Sequence, residues 1–129
     1  MSKERIENPL GLNSRKDHVY RYQLASNIIK KLGFLSVVDC AGGIGYGSNL
    51  IAKNNSGVKI NTIEMSNEAA TVFRQNYQLP QINYINEDYR NVKEIDFKCD
   101  LFITFEFIEH IWDSEIFMHK ISKGAKYLL

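Results

Sequence analysis

From residue 17 onward the chain alternates between two hydrophobic patterns. Val19, Tyr22, Ala25, Ile29 and Leu32 recur every three or four positions, which predicts a helix capped by Asp17 and stopped by Gly33. Phe34-Leu35-Ser36-Val37-Val38 is a short β-branched run, long enough for one buried strand. A glycine-rich turn at 42–47 leads into a second helix that begins near Gly47 and carries Leu50-Ile51-Ala52. The alternation then repeats. Val58 to Ile63 reads as a strand, and Ser66-Asn67-Glu68 as the cap and acidic first turn of a helix reaching about Tyr77. Leu79-Pro80 ends that helix. Ile82 to Ile85 and Leu101 to Phe105 are two further strands, and Asp113-Ser114-Glu115 caps a helix through about Ser122. Tyr127-Leu128-Leu129 opens a fifth strand.

Strands that alternate with helices, and are apolar throughout, belong in a parallel sheet covered on both faces. Right-handed crossovers then leave few topologies besides a doubly wound one. The expected fold class is α/β, a Rossmann-like doubly wound parallel sheet with helices on both faces. Residues 1–16 have no periodicity and read as a flexible N-terminal arm before a single domain over 17–129. A last strand of three residues gives the expectation of a fold whose C-terminal strands are missing. Its open sheet edge would be covered by a partner or an oligomer.

Composition narrows the function. With 129 residues, 44% hydrophobic and 24% charged, the chain has the balance of one globular domain. Lys+Arg (16) nearly cancels Asp+Glu (15), so nothing draws the chain as a whole to nucleic acid. No apolar run approaches the ~20 residues of a membrane span. No apolar signal segment follows Met1-Ser2-Lys3-Glu4-Arg5, and a cytoplasmic location is expected. Cys40 and Cys99 lack metal-type spacing and read as two buried thiols in a reducing compartment.

The most informative stretch is Val37-Val38-Asp39-Cys40-Ala41-Gly42-Gly43-Ile44-Gly45-Tyr46-Gly47-Ser48. A strand feeding a glycine-rich turn and then a helix brings bare backbone close to a ligand. A dinucleotide binder would show G-x-G-x-x-G. That template fails from Gly43, where it demands glycine at Ser48, and from Gly45, where it demands glycine at Leu50. Asp39 would also repel a pyrophosphate, and suits a ligand carrying an ammonium or sulfonium cation.

The segment from Val38 to Ser48 resembles the first motif of class I S-adenosylmethionine-dependent methyltransferases, with Ala41 where the family usually has glycine. Arg21-Tyr22 resembles the RY of a subgroup whose loop reads G-x-G-Y-G-S, which implies that Tyr22 approaches the methionine end of the cofactor. Asp39, Ala41, Gly43 and Gly45 would then form the cofactor loop. Ile63-Glu64-Met65-Ser66 resembles the second motif, in which an acid after strand two accepts both ribose hydroxyls. Glu64 lies 21 residues beyond Gly43, near the ~20 that nucleotide-binding sheets favour. Met65 would line the same pocket. Asn86-Glu87-Asp88-Tyr89 resembles the G-D-A segment, which implies Asp88 accepting from the adenine amino group and Tyr89 donating through its amide.

Asp100-Leu101-Phe102-Ile103-Thr104-Phe105-Glu106-Phe107-Ile108-Glu109-His110 resembles the family's fourth motif, D-L-I-x-x-x-E-V-I-E-H. On one helical turn Glu106, Glu109 and His110 would share a side at i, i+3, i+4. Three readings stand. The triad could hold a divalent metal that orients a substrate hydroxyl and lowers its pKa, as the resemblance to small-RNA 2′-O-methyltransferases and quinone-biosynthesis O-methyltransferases implies. His18 and His119 are the only other histidines. Without metal, His110 is a candidate general base and Glu106 a wall of the cofactor pocket. The third reading is structural: Glu109 and His110 only stabilise their turn.

The implied reaction is methyl transfer from S-adenosylmethionine to oxygen or nitrogen of a small-molecule acceptor, a sugar or phenol among the options. Near-neutral charge argues against a nucleic-acid acceptor. The rival is a non-catalytic S-adenosylmethionine-binding or interaction module, or a fragment that binds without turnover.

Overall fold

The computed structural model describes residues 16–105 and 115–129. The first helix, α1 (Lys16–Leu32), leads to strand β1 (Ser36–Cys40) and helix α2 (Tyr46–Asn54). β2 (Lys59–Ile63), α3 (Asn67–Asn76) and β3 (Ile82–Ile85) follow. Two 3-10 turns, Tyr89–Asn91 and Glu94–Phe97, then precede β4 (Cys99–Ile103). Helix α4 (Glu115–Gly124) runs directly into β5 (Ala125–Leu128). The described strands form one sheet in the order β3-β2-β1-β4-β5, every pair parallel. This is the Rossmann-like arrangement that the pattern predicts, with helical cover on both faces.

Side chains one residue apart on β1 divide the core. Val37, with Ile60, Leu101 and Ile103, packs under Tyr22, Ala25 and Ile29 of α1, Ile51 and Ala52 of α2, and Ala69 and Phe73 of α3. Val38 and Cys40, with Ile63 and Phe102, face Phe97 and Ile121 on the other side. Asp39 therefore points to the same face as Val37, into the layer of α1 and α2. β1 lies at the centre, and its carboxyl end opens into the glycine turn.

Several boundaries differ from the sequence reading. α1 includes Lys16, so Asp17 is a first-turn residue paired with Arg21 at 3.7 Å and not the cap. β1 begins at Ser36, two residues later than predicted; Leu35 is 64% exposed and Phe34 stacks on Tyr127 at 5.3 Å. Asp39 and Cys40 thus lie inside the strand. β4 spans 99–103 instead of 101–105 because Asp100 belongs to the ladder, its carboxylate accepting from the amides of Leu35 and Ser36. β5 is an exposed edge, not a buried strand: Lys126, Tyr127 and Leu128 face solvent. Other expectations match closely. Ser66 caps α3 by accepting from the Ala69 amide at 3.2 Å, and β3 has the predicted limits.

Candidate functional site

The turn after β1 carries three left-handed residues, Ala41 (φ 61), Gly43 (φ 61) and Gly45 (φ 85). Glycine reaches this region without penalty, whereas alanine loses about 1–2 kcal/mol there. Position 41 is thus where glycine fits best, and the chain carries Ala41. The amides of Ala41 and Gly42 both donate to the Ile63 carbonyl, at 2.8 and 3.2 Å, which holds the turn against the end of β2.

The other glycines are needed for a reason that the sequence reading missed. A Cβ on Gly42 would meet Thr62 at 2.5 Å and Asp39 at 3.0 Å. One on Gly45 would meet the Phe73 ring at 2.3 Å, and one on Gly47 the Tyr22 ring at 2.4 Å. Their missing side chains point into protein, so the turn lies flat on β2, α3 and α1.

Glu64 ties this turn to the next one. Its Oε1 accepts from the Gly43 amide at 2.9 Å, and its Oε2 from the Ser66 amide at 2.9 Å. A carboxylate has about four lone-pair sites, so one site on each oxygen remains for a vicinal diol. Tyr84 completes the tie by donating its hydroxyl to the Gly43 carbonyl at 2.5 Å, while its ring stacks on Phe73 at 4.3 Å. Tyr84 and Phe73 are site residues without a local signal in the sequence, because each acts across a long loop. Met65, next to Glu64, is 61% exposed at the rim.

Asp39 is wholly buried. Tyr22 donates to its Oδ1 and Ser48 to its Oδ2, both at 2.8 Å, and Ser48 also shares a 2.6 Å hydrogen bond with Thr62. Burial pushes the Asp39 carboxyl up to about 6, against the lowering effect of the two hydroxyls. In this arrangement Tyr22 and Ser48, both buried themselves, enclose the carboxyl. Burial likewise pushes the Cys40 thiol up, and that of Cys99 to about 12; both cysteines are free and buried.

Asp88 is engaged locally. It accepts from the Arg90 amide at 2.9 Å and Nε at 3.0 Å, and this pairing holds its carboxyl below the usual range. Arg90 also lies over the Tyr89 ring at 5.7 Å. Asp88 thus organises the turn of Tyr89–Asn91 and keeps a partly exposed carboxylate beside it.

On the β4 side, α1 contributes an aromatic group. Tyr22 meets the Phe105 ring edge-on at 5.1 Å and the Tyr46 ring at 5.5 Å, and His18 Nδ1 shares a hydrogen bond with the Tyr46 hydroxyl. Phe105 directly precedes the E-x-x-E-H cluster. Glu106, Glu109 and His110 themselves lie outside the described residues. Among the described residues, no group of three or more His, Cys, Asp or Glu could hold a metal ion. No described helix is long and apolar enough to cross a membrane.

The structure thus ties Tyr22, Asp39, Ala41, Gly43, Gly45 and Glu64 to one turn at the carboxyl end of β1, with Tyr22 and Asp39 buried beneath it and Met65 exposed beside Glu64. The Glu64 sites and the flat glycine turn fit a ribose-bearing ligand such as S-adenosylmethionine.

A family model described as a methyltransferase domain matches residues 38–126. No curated protein sequence matches the chain. Solved structures of similar fold include StiE O-MT (residues 961–1257), at TM-score 0.67 and 18% identity over 80% of this chain and 39% of that one. The methyltransferase domain of bacterial CtHen1-C has TM-score 0.64 and 19% identity, covering 82% and 57%. The plantazolicin methyltransferase BpumL, solved with a pentazolic desmethylPZN analog and SAH, has TM-score 0.64 and 16% identity, covering 84% and 42%. This chain therefore spans 39–57% of the length of these three structures.

Proposed function

Because the chain belongs to the methyltransferase domain family, we propose that it binds S-adenosylmethionine at the carboxyl end of β1 and serves methyl transfer to oxygen or nitrogen of a small-molecule acceptor. The observation that carries this reading is Glu64, which holds the glycine turn through Gly43 and keeps one acceptor site on each oxygen for the ribose hydroxyls. The bound cofactor would supply an electrophilic methyl group on a sulfonium sulfur. The chain's residues would bind, orient and exclude water. Ala41, Gly43 and Gly45 bend the backbone around the ligand. Tyr22 and Asp39 set a negative potential near the cationic sulfur, and Met65, Asp88 and Tyr89 flank the base. SAH in the BpumL structure supports the choice of cofactor for a shared fold.

For the acceptor side, the E-x-x-E-H signature supports His110 as the group that takes the acceptor's proton, with Glu106 at the cofactor. It also supports a divalent cation on Glu106, Glu109 and His110. Divalent-cation titration of the wild type and His110→Ala decides between them: the metal reading expects stoichiometric binding that the substitution abolishes, and falls if binding survives. The G-x-G-Y-G-S subgroup rests on Gly43 to Ser48. A cytoplasmic setting draws support from the two buried free thiols.

Calorimetric titration with S-adenosylhomocysteine and NAD tests the main reading. Binding of the first and not the second is expected; tight NAD binding without a response to S-adenosylhomocysteine refutes it. Binding without methyl consumption in the presence of candidate acceptors would favour a non-catalytic module.

A further inference from the structure

Helix α1 enters the site through two residues one turn apart. His18 and Tyr22 share a helix face at i, i+4 spacing. Tyr22 reaches down to Asp39, while His18 reaches across to Tyr46, with 2.5 Å between Nδ1 and the phenolic oxygen. Both ends of that second bond are buried, His18 at 8% and Tyr46 at 6% exposure. The rings of His18, Tyr22 and Tyr46 stand 5.4, 5.9 and 5.5 Å apart and pack as one unit.

Tyr46 occupies a sensitive place. It is the first residue of α2, directly after Gly45, whose left-handed conformation makes the last bend of the turn. Gly45 supplies no side-chain cap to that helix. The orientation of the first turn of α2 therefore depends on what holds Tyr46. Ring packing alone leaves a phenol free to slide or rotate. A hydrogen bond from a second helix removes that freedom, and burying imidazole and phenol together is costly unless the bond is made. An apolar pair would fill the same space without fixing a direction.

We propose that His18 is a positioning residue for the cofactor loop, acting through the Tyr46 hydroxyl to hold Gly45 and the first turn of α2 in their binding geometry. The proposal rests on the S-adenosylmethionine reading above. Either imidazole tautomer serves, because the hydroxyl can donate to Nδ1 or accept from it. Asn at position 18 carries its amide on Cγ, as histidine carries Nδ1, and can answer the hydroxyl in the same way.

The test is calorimetric titration of the full chain with S-adenosylhomocysteine, together with melting of each protein, for wild type, His18→Ala, His18→Asn, Tyr46→Phe and the double variant His18→Ala/Tyr46→Phe. Tyr46→Phe should weaken binding about tenfold and His18→Ala at least as much, since it also removes ring packing on Tyr22 and Tyr46, and Tyr46→Phe should cost little more once His18 is alanine. His18→Asn should restore affinity to within about threefold of wild type. Tyr46→Phe removes a single oxygen and His18→Asn keeps a polar group on Cγ, so the test stands if the alanine variant fails to fold. Wild-type affinity in Tyr46→Phe, additive losses in the double variant, or no rescue by Asn would each overturn the positioning role. If the wild-type chain itself fails to bind S-adenosylhomocysteine, the cofactor reading falls and this role with it. If wild type binds and the variants match it, only the positioning role falls.

Discussion

Replacing Asp39 by Asn probes the carboxyl beneath the glycine turn. The side chain is fully buried, and burial raises its pKa from 3.8 to about 6. A difference of about two units, at ~1.4 kcal/mol each, means that ionised Asp39 costs the folded chain about 3 kcal/mol. The sign follows from proton counting. Between about pH 4 and 6 the folded chain keeps a proton that the unfolded chain has released, so stability from this group is complete below 3.8 and is lost as pH rises through about 6. Asn keeps the shape and stays neutral, which removes that loss. Against this, Asn offers one acceptor where aspartate offers two, so either Tyr22 or Ser48 must turn its hydroxyl to accept. That rearrangement subtracts about 1 kcal/mol. The Asn variant should therefore be near parity or slightly weaker at pH 4, and about 2 kcal/mol more stable than wild type at pH 8. Urea unfolding of both proteins at pH 4, 5, 6, 7 and 8 reads the difference directly, and Asp88 and Asp100 cancel because they titrate in both. A pH-independent difference, or an Asn variant less stable than wild type at pH 8, would refute the reasoning. If the charge also serves the cofactor, the same substitution should weaken S-adenosylmethionine more than the uncharged S-adenosylhomocysteine.

Ala41→Gly should raise stability by about 0.5–1 kcal/mol, because relief of the left-handed strain exceeds the added freedom of the unfolded chain; an unchanged or lower melting midpoint would mean that position 41 is not strained. Glu64→Ala should weaken S-adenosylhomocysteine by ~1–3 kcal/mol, through loss of the proposed ribose contacts and of the tie to Gly43. Unchanged affinity in calorimetry would place the ribose elsewhere. Cys40 and Cys99 should resist a chromogenic disulfide reagent at pH 8 in the folded chain and react once it is unfolded, since burial raises both thiols. Rapid reaction of either in the native protein would contradict that burial.

The order of elements and the site's loop were legible because each leaves a local mark: periodic apolar residues for α1, glycines after a strand for the turn, serine before an acidic first turn for α3. Strand limits were less legible. Asp39 and Asp100 look like strand ends by polarity, yet each lies inside a strand because its carboxylate finds partners from another segment. Phe34 and Leu35 look like strand by apolarity, yet precede it, one stacked on Tyr127 and the other exposed. The resemblance supplied Glu64, whose second duty of fastening Gly43 needs a partner 21 residues away. Tyr84, 41 residues from Gly43, and Thr62, 14 from Ser48, carry no mark of their own.

The ties that shape the glycine turn run from Tyr22 to Asp39, from Gly43 to Glu64 and from Tyr84 to Gly43, all within the chain up to β3. β1 finds β2 after about 23 residues but β4 only after about 64, as the registers Ser36 with Lys59 and Val37 with Leu101 show. Closing the shorter loop takes less chain entropy, and synthesis delivers it first. The glycine turn and its ties are thus ready to assemble before β4 arrives with Phe105 and the cluster beyond it. Folding order and ligand order coincide: the part that would bind cofactor matures early, and the part that would meet the acceptor follows it.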